Sequence, residues 1–100
     1  MLRHVLLLKF KDGVGADQVK ALDTAFRQLL AEIPAVSAAR VGAALGLPGS
    51  SGTPADYAIT LDFRTPDDFA AYISDPDHQQ FVKERLSPLR ESAWSAQIEL

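Results

Sequence analysis

The sequence contains no cysteine. That excludes disulfides, thiolate metal clusters, iron–sulfur chemistry and a cysteine nucleophile. It has two histidines, His4 and His78, and neither falls in a His-x-Glu or His-x-x-x-His spacing. A metal site built from protein ligands is therefore not expected, and no cofactor is called for. No cluster of lysine and arginine exists and the aromatics are not interleaved with basic residues, so nucleic acid is not an expected partner. Long apolar runs are also missing: the one over residues 2–11 is broken by Lys9 and Lys11 and lacks a small-residue cleavage site. It is far too short to cross a bilayer, so the expectation is a soluble, cytoplasmic protein with no membrane partner. The glycines of the 46–55 stretch are followed by no lysine, and Ser50-Ser51-Gly52 is no nucleophile elbow.

What is present suits one compact domain spanning residues 1–100. Forty-seven per cent of the residues are hydrophobic and the formal charge is −3. Residues 2–11 alternate His4, Leu6, Leu8 and Phe10 against Arg3, Val5, Leu7 and Lys9, which predicts a strand that is apolar on one face and partly apolar on the other. From 16 to 33 the spacing turns helical, with Val19, Leu22, Phe26, Leu29, Leu30 and Ile33 on one stripe, Gly15 as N-cap and Pro34 as the stop. Residues 35–45 are alanine-rich but bounded by Pro34 and interrupted by Gly42, and a strand is expected there. A turn-rich loop over 46–55 leads to a strand over 56–64, with Tyr57, Ile59, Leu61 and Phe63 on one face. Thr65-Pro66-Asp67-Asp68 opens a helix, with Thr65 as cap. A short second helix follows Asp75-Pro76 and stops before Pro88. Residues 92–100 close with Trp94, Ala96, Ile98 and Leu100 alternating against polar side chains.

The order β-α-β-β-α-β predicts an α+β ferredoxin-like fold with a four-stranded antiparallel sheet. Two helices cover one face of such a sheet. Val5 and Leu7 would then lie bare on the other, so a second copy is expected to cover that open face and make a homodimer.

Tyr72 to Phe81 holds a tyrosine, a helix break and one of the two histidines. With Asp75 as N-cap, Pro76 takes the first helical position and His78 the third, where the helix dipole favours a neutral imidazole. His4, Tyr57 and Trp94 are expected on the helix-facing side of their strands, lining a mostly apolar pocket with Tyr72 and His78. The alternative at each position is a ring that packs in the core and satisfies its polar tip locally, or, for His78, one that caps its turn. Asp67, Asp68, Asp75 and Asp77 sit at helix starts, which accounts for them as caps and dipole partners.

The segments Arg3–Lys11, Glu32-Ile33-Pro34-Ala35-Val36, Asp56-Tyr57-Ala58 and especially Asp75-Pro76-Asp77-His78 resemble the stress-responsive α/β-barrel (Dabb) family over nearly the whole chain. The resemblance implies two identical sheets packed face to face in a dimeric α/β barrel. It also implies mixed functions, from stress-associated structural proteins to a plant polyketide cyclase. The cyclase's catalytic tyrosine and histidine fall on Tyr72 and His78, one pocket histidine falls on His4, and another falls on Tyr57, a departure from its pattern. The antibiotic-type monooxygenases of this fold would want an asparagine, and the sequence has none.

Two functions are consistent with these residues. One is a dimeric domain that binds a small apolar or aromatic ligand between sheet and helices or serves a structural role. The other is a cofactor-free cyclase-like lyase or isomerase, with His78 as general base and Tyr72 positioning the substrate carbonyl. The second expects a cavity of roughly 300–1,000 Å³ that reaches Tyr72 and His78.

Overall fold

The computed structural model describes residues 1–49 and 55–100, so residues 50–54 of the expected 46–55 loop lie outside the described residues. The elements run β1 (Leu2–Phe10), α1 (Ala16–Ala31), β2 (Ala38–Ala43), β3 (Tyr57–Phe63), α2 (Pro66–Ser74), α3 (Pro76–Phe81) and β4 (Arg90–Glu99). They form one antiparallel sheet in the order β2-β3-β1-β4, the ferredoxin-like arrangement expected from the element order.

Local chemistry sets the boundaries. β1 ends at Asp12-Gly13, where Gly13 takes φ 89°, a left-handed conformation that costs glycine no Cβ clash. Gly15 caps α1, and the Gln18 side chain accepts from its N–H at 2.9 Å. α1 stops at Ala31 rather than 33. Ile33 still packs into the core from the turn before Pro34. β2 is shorter than the expected 35–45, because the Val36 N–H closes a turn onto the Ile33 carbonyl before pairing with β3 begins.

The core lies between α1, α2, α3 and the inner face of the sheet. Leu8 and Phe10 of β1, Tyr57, Ile59, Leu61 and Phe63 of β3, and Leu22, Phe26 and Leu30 of α1 are buried there. β3 alternates buried and half-buried positions without exception, as expected for a strand whose inner face the helices cover.

β4 corrects one expectation. It starts at Arg90, and its pairing with β1 shifts register between Lys9 and Phe10. Trp94 pairs with Leu7, Ala96 with Val5 and Ile98 with Arg3. Directly paired residues project to the same face, so the apolar face of β4 joins Val5 and Leu7 on the side away from the helices. Trp94 is 43% exposed and Ile98 50%. Trp94 therefore does not line a pocket between sheet and helices. Alternation shows which residues share a face, but it does not say which face the helices cover.

Candidate functional site

The α2–α3 junction is built as a cap. Thr65 Oγ1 accepts from the Asp68 N–H at 3.2 Å to start α2, which ends at Ser74. Asp75 Oδ1 then accepts from the backbone N–H groups of Asp77 at 2.9 Å and His78 at 3.0 Å, with Pro76 at the first helical position. This fixes His78 at the third position, as the spacing predicted. The cap is the Asp75 carboxylate, so the imidazole plays no part in it. After Phe81 the helix widens into a π-helical turn over Val82–Leu86, a distortion that recurs near functional sites.

The imidazole of His78 lies against Tyr72, ring centroids 4.1 Å apart. Tyr72 packs on Phe63 at 5.4 Å, Phe63 on Phe69 at 5.4 Å, and Phe69 on His4 at 5.1 Å. One continuous run of rings thus brings His4, Tyr72 and His78 together across α2, α3, β3 and β1. His4 is anchored: its Nδ1 accepts from Gln97 Nε2 of β4 at 2.8 Å, which places the ring proton on Nε2. Nδ1 of His78, by contrast, is buried and has no hydrogen-bond partner among the described residues.

Electrostatics follow from burial. Desolvation is the main cause lowering the pKa of both histidines. For His4 the proximity of His78 lowers it further, while for His78 the Ile73 carbonyl and the Asp75 charge oppose the shift. Both imidazoles are neutral near pH 7, and for His78 burial is the leading cause. Burial also raises the Tyr72 phenol well above its ordinary value, so it stays a hydroxyl. A neutral imidazole beside an un-ionised phenol can accept one proton and donate another.

Tyr57 belongs elsewhere. It starts β3, whereas Leu61, the residue paired with His4, lies four positions on, about 13 Å at ~3.3 Å per residue. The Tyr57 hydroxyl donates a hydrogen bond to Asp23 Oδ1 of α1. Asp23 is held in turn by Arg27 Nε at 2.7 Å, and Arg27 also donates to the Val41 carbonyl at 2.8 Å. Desolvation, followed by this carboxylate, raises the Tyr57 pKa. The Asp23–Arg27 spacing of four is readable in a helix. Nothing in the local sequence signals that Tyr57, 34 positions away, joins it.

The space follows Tyr57. A cleft of about 740 Å³ opens between α1 and the adjoining end of the sheet, lined by Tyr57, Asp23, Phe10, Val14 and Val19 among others. Smaller clefts lie between α1 and β2 (about 440 Å³), beside Leu22 and Leu89 (about 450 Å³) and next to Arg3 and Asp62 on the open face (about 140 Å³). None of these four is lined by His4, Tyr72 or His78. His4, Tyr72 and His78 thus share the ring cluster, Tyr57 lies at the cleft beside α1, and Trp94 faces outward. Among the described residues no group of three or more His, Asp or Glu side chains is arranged to hold a metal ion, and no helix is long and apolar enough to cross a membrane.

Residues 2–99 match the stress responsive A/B barrel domain family. The chain belongs to that family. A dimeric ferredoxin-like protein of unknown function from Thermobifida fusca is 32% identical, with a TM-score of 0.85 over 99% of this chain and 90% of its own. An Arabidopsis thaliana protein is 22% identical with a TM-score of 0.87, covering 100% of this chain and 95% of its own. The hydroxynitrile lyase of Passiflora edulis is 20% identical with a TM-score of 0.85, covering 99% of this chain and 92% of its own. The last two share the fold alone. No curated protein matches the chain. The Dabb assignment agrees with the ferredoxin-like topology, and it leaves the activity uncertain, since the solved relatives include dimers of unknown function as well as the lyase.

Proposed function

We propose that this Dabb domain works as a homodimer that binds a small apolar or aromatic ligand between its sheet and its helices. The cleft beside Tyr57 carries the reading. Its volume of about 740 Å³ falls within the ~300–1,000 Å³ of small-molecule sites, and Phe10, Val14 and Val19 give it apolar walls beside the polar tip of Tyr57. The bare outer face supports the dimer: Val5, Leu7, Trp94, Ala96 and Ile98 form one apolar surface by register, and a second copy laid over it would bury them. Titrating the ¹⁵N-labelled protein with benzyl alcohol tests the ligand reading. Saturable shifts concentrated at Val14, Val19 and Tyr57 are expected, and scattered or non-saturating shifts overturn it. A stable monomer at micromolar concentration in light scattering would overturn the dimer.

One observation favours a second reading, the cofactor-free lyase or isomerase, against the finding that none of the four clefts described above reaches Tyr72 or His78. Buried polar atoms are almost always paired, yet His78 Nδ1, beside the Tyr72 ring, has no partner among the described residues. In this reading His78 is the general base, Tyr72 orients the substrate oxygen and His4, held by Gln97, supports the site. Release of benzaldehyde from mandelonitrile that is lost in both His78→Ala and Tyr72→Phe supports it. Turnover unchanged in His78→Ala refutes it.

A further inference from the structure

β4 is exposed on both faces over residues 93–99, and in the sheet it is held by β1 alone. Exposed edge strands of this kind lie at the low end of local stability and open most readily. The side chains of β4 alternate between two surfaces. Ala96 and Ile98, paired with Val5 and Arg3, turn to the face that the helices leave open. Gln97 lies between them and turns the other way, where its Nε2 donates to Nδ1 of His4 at 2.8 Å. His4 is buried and packs on Phe69, at one end of the run of rings that leads to Tyr72 and His78. A buried ring thus takes its hydrogen bond from the most exposed strand of the sheet.

We infer that Gln97 is a positioning residue through which association of two copies over the open face fixes the tautomer of His4. The inference rests on the homodimer reading above and adds a link from that interface to the ring cluster. A second copy laid over Trp94, Ala96 and Ile98 binds β4 in its paired form, and a partner that selects one state stabilises it by mass action. With β4 held, the Gln97 amide stays at Nδ1 and the ring proton of His4 stays on Nε2. When β4 frays that donor leaves, and the imidazole shares its proton between both nitrogens. The path is short, because Gln97 is the chain neighbour of Ala96 and Ile98 and one stretch of backbone carries both contacts. Linkage makes the effect reciprocal: a bond that association strengthens must itself favour association.

Long-range ¹H–¹⁵N correlation spectra of the imidazoles test the proposal, because they tell an Nε2–H ring from an Nδ1–H ring. The chain has two histidines, and the signals missing from His4→Phe identify His4. In the parent, dimeric by light scattering, His4 should show the Nε2–H form alone. Trp94→Ser, at a concentration where sedimentation finds it monomeric, should show the two tautomers averaged. Gln97→Met keeps the length of the side chain but has no N–H to donate. It should show the same averaging even while dimeric, and its dimer dissociation constant should rise about fivefold. Gln97→Glu should move the proton to Nδ1, since a carboxylate only accepts. Gln97 is exposed, so both variants should fold, which circular dichroism checks. Averaged tautomers in the dimeric parent, or a pure Nε2–H signal in either Gln97 variant, overturn the role of Gln97. A pure Nε2–H signal in monomeric Trp94→Ser, or an unchanged dissociation constant in Gln97→Met, overturns the link to association and leaves the dimer reading intact. A parent that is monomeric by light scattering overturns both together.

Discussion

Trp94 stands directly across from Leu7 on the face of the sheet that the helices leave open. It is the single tryptophan of the sequence and 43% exposed. Buried tryptophans are frequent hot spots of association. Trp94→Ser should therefore raise the dimer dissociation constant by about 30-fold, the equivalent of a ~2 kcal/mol hot spot. Dilution of the parent should shift the indole emission to the red as the dimer parts, and sedimentation supplies the constants. A substitution without effect on association would mean that the open face is not the interface.

Asp75 and His78 should respond to substitution to different extents. Asp75→Ala removes a carboxylate that holds two N–H groups, and should cost about 1 kcal/mol in urea unfolding. His78→Leu removes a ring whose Nδ1 has no partner among the described residues but which also meets the Ile73 carbonyl, and should cost less than Asp75→Ala. Measurements at one protein concentration keep association out of the comparison. A loss for His78→Leu as large as that for Asp75→Ala would assign the imidazole a structural bond.

Stability should fall on mild acidification. Burial lowers the pKa of His4 and His78 in the folded state, while in the unfolded chain both titrate near their ordinary value of about 6.5. Between the folded and unfolded values the unfolded chain binds more protons, so stability rises with pH there. The full contribution is present above about pH 6.5. It is lost as the pH drops below that and levels off once the folded values are passed. Urea midpoints at steps through this window should show the decline, and His4→Phe and His78→Phe should each flatten it. A flat profile in the parent would contradict the burial of both rings.

Tyr57→Phe should cost about 1–2 kcal/mol, the net worth of a hydrogen bond to a charged acceptor reduced for the partly exposed Asp23. The hydroxyl meets Asp23, which Arg27 holds independently. A cycle combining Tyr57→Phe with Asp23→Asn should therefore show coupling, and additive effects would dismiss the contact.

Much of this architecture is legible in the sequence because the signals are local. Thr65 and Asp75 announce helix starts with their own side chains, and Tyr57 to Phe63 alternate so strictly that one face had to be core. The position of His78 follows from Asp75-Pro76 alone. The failures come from long-range facts. Trp94 faces outward because β4 pairs with β1 in a register set partly by the shift at Lys9 and Phe10, which no window around residue 94 contains. Tyr57 and His4 both face the helices, but they sit at different ends of the sheet, and the partner of Tyr57 is on α1. The π-helical turn at Val82–Leu86 has no signature in residues that would equally suit an α-helix. The bond between Gln97 and His4 joins residues 93 positions apart and has no local signal either.

The central place of β1 has a consequence for how the molecule assembles. Leu2 pairs with Phe63 on one side and Glu99 on the other, so β1 is matched on both edges by segments far along the chain. The two largest ladders thus close only after long stretches of chain have been brought round, a topology associated with folding in milliseconds to seconds. During synthesis β1 would wait, with both edges open, until β3 and then β4 emerge. Lys9 within β1 and Lys11 just beyond it put charge at the end of that waiting strand, the kind of placement that discourages premature pairing with another chain.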